Sequence, residues 1–373
     1  MRSTLPALVV AAALVAGCGS GGSGSFQTHS PIAALPSPKA CPSPGVMPLP
    51  SPSTAPEPPA DKSVVLATIP FSSGSAPESV AVGFGSVWVI THHSNTVFRI
   101  DPATNQVIAS IKIEVPGQEV GVGSVVVGTH AVWVPVGVQP DSQLWRIDPP
   151  TNQVTLKIPM VDAGDLADWA DAMWLDIDPQ IGAALRRQVV QIDPNTGKTL
   201  RTVDLGPALI SPRYTPALAY GLGSLWVVVG NNQLARVDPS TGHVIATIKT
   251  PDVPSGYGTL AFAGNDVFIA QSDNTVARVD GGTNCVDGVA YLGANLPSDK
   301  PVPPPLSIFT ASGGLYVSFD RGALALLDPG NLTVRRSVRF DVQNAPGRPS
   351  FGFGSIWYPT FKNDSVLRVQ PLD

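Results

Sequence analysis

An aromatic residue recurs seven times inside an apolar strand that follows a tight turn, and this repeat constrains the fold more than any other feature of the chain. The seven are Trp88, Trp133, Trp174, Trp226, Phe268, Tyr316 and Trp357, a period of roughly 45 residues, the spacing of propeller blades. A second signature follows in six units. Arg99-Ile100-Asp101-Pro102, Arg146-Ile147-Asp148-Pro149, Gln191-Ile192-Asp193-Pro194, Arg236-Val237-Asp238-Pro239, Arg278-Val279-Asp280-Gly281 and Leu326-Leu327-Asp328-Pro329 each end a strand in a turn. There Asp caps the turn through its carboxylate, Pro presets φ, and a later Asn or Gly takes the left-handed position. The sixth copy places Leu332 at that position, so its turn is expected to differ.

Each unit therefore reads as four short antiparallel strands. One such sheet cannot bury both faces, but sheets arranged radially cover one another. Seven aromatics predict an all-β fold, a seven-bladed β-propeller of four-stranded antiparallel blades. The seventh unit runs out at Arg368-Val369-Gln370-Pro371, before an outer strand, whereas Val64-Val65-Leu66-Ala67-Thr68-Ile69 precedes the first inner strand and matches Val244-Ile245-Ala246-Thr247-Ile248. The N-terminal strand is thus expected to close the last blade and protect its edge. Repeated seven times, the aromatic reads as inter-blade packing and the Asp as a turn cap, not as parts of one site.

Ahead of the ring, residues 1–17 read as a secretory signal: Arg2, an apolar run of about 11 residues, and small residues at a cleavage point. Val15-Ala16-Gly17-Cys18 resembles the lipobox of bacterial lipoproteins, which implies cleavage before Cys18 and acylation of its sulfur. Residues 18–60 are a Gly/Ser spacer and then a Pro-rich stretch, expected to form a disordered stalk without a core. Residues 61–373 are the propeller. On this reading the anchor enters the ring beside its seam, and the domain faces the extracytoplasmic side of a cell membrane. With Cys18 acylated, Cys41 and Cys285 remain as a possible disulfide in an oxidising compartment, against two free thiols.

The blade pattern, from Glu78-Ser79-Val80-Ala81-Val82-Gly83 through Trp88, Asn95-Thr96-Val97 and Arg99-Ile100-Asp101-Pro102, resembles the YVTN β-propeller family and is similar to streptogramin lyase-like propellers. The resemblance covers roughly residues 63–370 and implies the fold. The lyases among these families imply a Mg-dependent elimination built on histidines and a glutamate in the later blades. Here the histidines are His29, His92, His93, His130 and His243, none of them in blades five to seven.

Antiparallel order puts the Gly-Ser and Asp-Pro hairpins on one face and the remaining loops on the other, where ligands are expected. Candidate ligand-binding residues there are His92, His93, Arg213, Asp273, Asp320, Arg321 and Lys362. Adjacent residues on a strand point to opposite faces, so His92 and His93 meet only if the loop bends. Arg213, Arg321, Arg348 and Lys362 are placed either to ring the pore and hold an anion, or to pair with Asp273, Asp320 and Asp364 as surface ions. The third blade carries the longest insertion, Ile177 to Gln188, a candidate lid or partner loop. Net charge is −5 with no basic block, which argues against nucleic acid. The expected partners are the bilayer, through Cys18, and an extracytoplasmic ligand or protein, with no cofactor, no metal and no catalytic set. The alternative is a metal-assisted lyase or hydrolase, which requires Asp176, Asp178, Asp273 or Asp320 to converge with a histidine in the pore.

Overall fold

Short β-branched and aromatic runs, each closed by a Gly- or Asp-based turn, build seven four-stranded antiparallel sheets in the computed structural model. It describes residues 40–41, 45–46, 61–114, 124–136, 142–160, 163–169, 172–177, 186–207, 217–230, 232–251, 260–271, 274–292, 305–319, 322–342 and 347–372, all within the unit Ala34–Asp373. From the innermost strand outward, blade one is Pro77–Gly83, Ser86–Thr91, Thr96–Asp101 and Gln106–Lys112. Blade two is Val126–Val127, Val132–Val136, Gln143–Asp148 and Gln153–Pro159. Blade three is Ala163–Trp169, Ala172–Ile177, Arg186–Ile192 and Thr199–Pro207. Blade four is Leu218–Gly221, Ser224–Gly230, Gln233–Val237 and Val244–Lys249. Blade five is Leu260–Ala263, Asp266–Ala270, Thr275–Asp280 and Cys285–Tyr291. Blade six is Pro305–Ala311, Gly314–Phe319, Ala323–Leu327 and Val334–Arg339. Blade seven is Ser350–Gly352, Ser355–Thr360, Ser365–Val369 and, as its outer strand, Val65–Pro70.

The seam therefore closes as expected: Val65–Pro70 pairs antiparallel with Ser365–Val369. The innermost strands touch in succession around the ring and the last meets the first. The hydrophobic interior is divided in seven, one core between each pair of neighbouring blades. All seven repeated aromatics lie in these cores, none more than 2% exposed.

Three of the cores depend on a close approach. The indole N–H groups of Trp88, Trp226 and Trp357 donate to the carbonyls of Gly83, Gly221 and Gly352 at 3.0–3.2 Å. A Cβ at Gly83 would stand 2.3 Å from Val127 Cγ1 of the next blade, and one at Gly352 2.3 Å from Val82 Cγ1. These glycines admit the neighbouring sheet. The repeated Arg then clasps it. Arg368 Nη1 donates to Pro102 O at 2.6 Å and Asn105 Oδ1 at 3.0 Å across the seam, while Nε holds Ser355 Oγ at 2.9 Å. Arg99 and Arg236 repeat this set on blades two and five, each guanidinium lying about 5 Å from the Trp ring of its own blade.

The Asp-Pro turns are capped as read from sequence, with Asp101 Oδ1 accepting from Ala103 N at 2.9 Å. The expectation for the sixth turn is corrected. Leu332 itself adopts the left-handed conformation (φ 59°), and its N–H reaches Asp328 O at 2.7 Å, as Asn105 reaches Asp101. A branched side chain in that region costs about 1–2 kcal/mol. Burial of Leu332 in the core between blades five and six offsets it.

Hydrogen bonds to the ionised form hold these carboxyls below their ordinary value of 3.8. Asp238 falls to about 2, chiefly through the hydroxyls of Ser240 and Thr241, and Asp101, Asp193, Asp280 and Asp328 shift the same way. A lowered folded-state value means that the unfolded chain takes up protons first as pH falls, so this stabilisation is complete above pH ~5 and is lost between pH ~4 and ~2. The urea midpoint is expected to be flat from neutrality to pH ~5 and to fall below pH ~4; a flat midpoint down to pH ~2.5 would contradict this account of the turns.

The N-terminal segment departs from the expectation of an unstructured stalk. Gly45–Val46 pairs parallel to the outer strand of blade five, Gly45 opposite Gly288 and Val46 opposite Val289. These two residues keep their N–H donors between Pro44 and Pro48, and the outer strand offers free acceptors. Just upstream, Cys41 and Cys285 are joined by a disulfide, their Cα atoms 5.6 Å apart. The first described contact of this segment with the ring is thus at blade five, not at the seam.

Candidate functional site

The three described ligand-binding candidates gather on the loop face where blade seven meets blade one. His92 and His93 sit in the turn after Ser86–Thr91, where the chain has left the strand, so their rings approach to 5.1 Å instead of pointing apart. Both rings also contact Phe361, at 6.0 and 5.5 Å between centroids, and exposed Lys362 follows Phe361 in a single 3-10 turn. The base beneath them is pinned by Asp364, which accepts from Gly74 N at 2.7 Å and Ala76 N at 2.8 Å. Those bonds, that to Ala76 first, hold its carboxyl below the ordinary carboxylate range. His92 N and His93 N donate to Ala76 O and Ser75 O, joining the blade-one turn to the same loop.

One layer deeper, the repeat identifies Asp165, which the motif reading passes over, as the partner of Arg348, which it places at the pore. Nine positions before the seven aromatics stand Ser79, Ser124, Asp165, Ala217, Thr259, Ser307 and Arg348. Small side chains suit the crowded start of an innermost strand, and only Asp165 and Arg348 depart from them with charge. They meet: Arg348 Nη1 donates to Asp165 Oδ1 at 2.6 Å. Arg348 belongs to blade seven and Asp165 to blade three, so the bond crosses the central channel at its loop-face mouth. Asp165 is otherwise satisfied, Oδ1 by Leu166 N at 3.1 Å and Oδ2 by Leu218 N at 3.3 Å. One position earlier, where four blades have glycine, blade one has Glu78. Its Oε2 lies 3.1 Å from His92 Nδ1, and its backbone oxygen accepts from Arg348 N at 2.9 Å. Gly347 permits that approach, since a Cβ there would be 2.6 Å from both Glu78 O and Pro359 Cγ. Aligning the seven units and looking for charge at a small-residue position is the signal that would have found Asp165 and paired it with Arg348.

Arg213, Asp273, Asp320, Arg321, Asp178 and Cys18 lie outside the described residues, as does the span 178–185 of the third-blade insertion. Asp176 is buried and bonded to Arg187 within its own blade, which removes it from the pore set that a metal-assisted reaction requires. Among the described residues no three His, Cys, Asp or Glu side chains converge as a metal site.

With seven blades, a closed ring and a polar mouth established, comparison with known proteins adds one theme. The family model described as outer membrane protein assembly factor BamB matches residues 186–341, from the third strand of blade three through the outer strand of blade six. A crystal structure of BamB from Moraxella catarrhalis is similar in fold, with a TM-score of 0.54 and 12% identity over 79% of this chain and 84% of that one. The chain has no match among curated proteins.

Proposed function

We propose that this chain is a lipid-anchored extracytoplasmic propeller whose loop face binds a protein partner. The observation that carries the reading is the seam patch. His92, His93, Phe361 and Lys362 offer ring faces and a flexible cation on a backbone already fixed by Asp364, so little conformational entropy is lost when a partner docks. The description of the matching family model, an assembly factor, supports a protein as the partner. The anchor rests on Val15-Ala16-Gly17-Cys18, and the blade pattern keeps its resemblance to YVTN and streptogramin lyase-like propellers.

A photo-crosslinking amino acid at Lys362 is expected to give a discrete adduct in intact cells, and one at Thr241 on the hairpin face none. Adducts from both positions, or from Thr241 alone, would remove the loop-face reading. Metabolic labelling with a fatty acid is expected for the wild-type chain and to be abolished by Cys18→Ala.

A further inference from the structure

We propose that Arg348 forms a carboxylate-binding site at the mouth of the channel, for which Asp165 is the internal counter-ion. A guanidinium carries five N–H donors. Arg348 commits one, to Asp165, and no other side-chain bond of Arg348 is present among the described residues. The remaining fork is not simply spread into bulk water, because the Arg348 side chain is only 18% exposed. A charged group this enclosed is ordinarily satisfied on every side, and Asp165 is: both its oxygens accept, from Arg348, Leu166 N and Leu218 N. The donors left over are on the cation, and none of them is a fully buried atom without a partner, so they remain reachable from the channel mouth.

A second observation lies in the same layer. Ser124 holds the equivalent position in blade two, between the blades of Arg348 and Asp165 along the shorter arc of the ring. It is 2% exposed, and its Oγ has no hydrogen-bond partner among the described residues. Its counterpart Ser79 accepts from Val125 N at 3.3 Å. Unused donors on a planar fork suit a planar anion with two acceptor oxygens, and the buried Ser124 hydroxyl is a second polar group of the same layer without a partner among the described residues. A carboxylate fits this, taken end-on by the guanidinium in two parallel bonds. The site discriminates through Asp165 and Glu78, whose negative charges disfavour a dianionic group such as phosphate relative to a single carboxylate. The source is either a small organic acid or the free C-terminus or acidic side chain of a peptide.

This inference shares the loop face with the partner reading but does not depend on it, since a small acid binds whether or not a protein docks. The test uses the full chain, with three probes followed by calorimetry and thermal shift: succinate, a short peptide with a free C-terminal carboxylate, and the same peptide amidated. Binding of the free-acid peptide, the dicarboxylate or both, without the amide, is the expected result. Binding of both assigns small acids, and of the peptide alone a polypeptide end. Arg348→Lys is expected to weaken binding about tenfold by losing the bidentate fork, and Arg348→Gln to abolish it. The decisive variant is Asp165→Asn, which keeps an acceptor for Leu218 N while removing a competing charge. It is expected to tighten carboxylate binding about tenfold. No binding by any probe, equal binding of the amide, or unchanged or weaker binding by Asp165→Asn overturns the proposal and leaves the pair as a brace between blades three and seven.

Discussion

Trp226→Ala is expected to lower the unfolding free energy by about 3–5 kcal/mol, the range for deleting a fully buried large aromatic. Trp226 has no exposed surface and sits in the core shared by blades four and five. Alanine there removes three contributions together: the transfer of the indole out of water, the hydrogen bond to Gly221 O at 3.0 Å, and the face over which Arg236 lies 5.0 Å from the ring centroid. Arg236 also reaches Gly281 O and Asn284 Oδ1 of blade five, so the loss propagates to the inter-blade clasp. Trp226→Phe retains most of the volume and is expected to cost much less, with about 1 kcal/mol from the missing N–H donor. Ile245→Ala, on the outer strand of the same blade and 43% exposed, is the control and is expected to stay within about 0.5 kcal/mol of wild type. Urea unfolding separates the three. Similar losses for Trp226→Ala and Ile245→Ala would mean that the repeated aromatic does not hold the blades together, and would return it to consideration as a ligand-stacking residue.

The architecture was legible because it is written seven times. A single Gly-Ser-Val-Trp-Val segment is compatible with many β folds, but seven in phase leave only a ring, and the unmatched strand at Val64–Ile69 shows where the ring shuts. The Arg of the Arg-Ile-Asp-Pro segment was visible as a pattern but its action was not, since its acceptors Pro102 O and Asn105 Oδ1 belong to another blade 266 and 263 residues away from Arg368. Leu332 misled for a local reason. Turn chemistry treats the left-handed position as a matter for Asn and Gly, whereas this Leu is held there by tertiary burial, which no local rule contains. The site was legible in part. His92, His93 and Lys362 come together because both of their loops lie at the seam, a consequence of ring closure. Strand alternation argued against the His92–His93 contact and failed because those residues lie in a turn. Asp165 stayed hidden because an Asp on a short strand that also carries Asp168 belongs to no motif; only its register against six other blades marks it.

Removing the Cys41–Cys285 disulfide is expected to cost the ring about 3–5 kcal/mol. Two residues separated by 244 positions close a loop that encloses blades one to four and most of blade five. Loop-closure entropy for a cross-link of that length is about 5 kcal/mol at 25 °C, the upper end of what native disulfides contribute, and residual structure in the unfolded chain lowers it. A local effect adds to this. The disulfide fixes the entry of Gly45–Val46 onto the edge of blade five, and a two-residue parallel strand has too few hydrogen bonds to persist without that tether. Cys41→Ser is therefore expected to lower the urea midpoint and also to speed amide exchange along Cys285–Tyr291, an edge left with unpaired backbone groups. The variants distinguish a shared bond from two independent thiols. Cys41→Ser, Cys285→Ser and the double variant should lose the same free energy, because the first substitution has already broken the link. Additive losses, or two thiols titrating in the denatured and unreduced protein, would sever the N-terminal segment from blade five. The tether would then rest on Val65–Pro70 alone, and the segment that leads to Cys18 would join the ring at its seam.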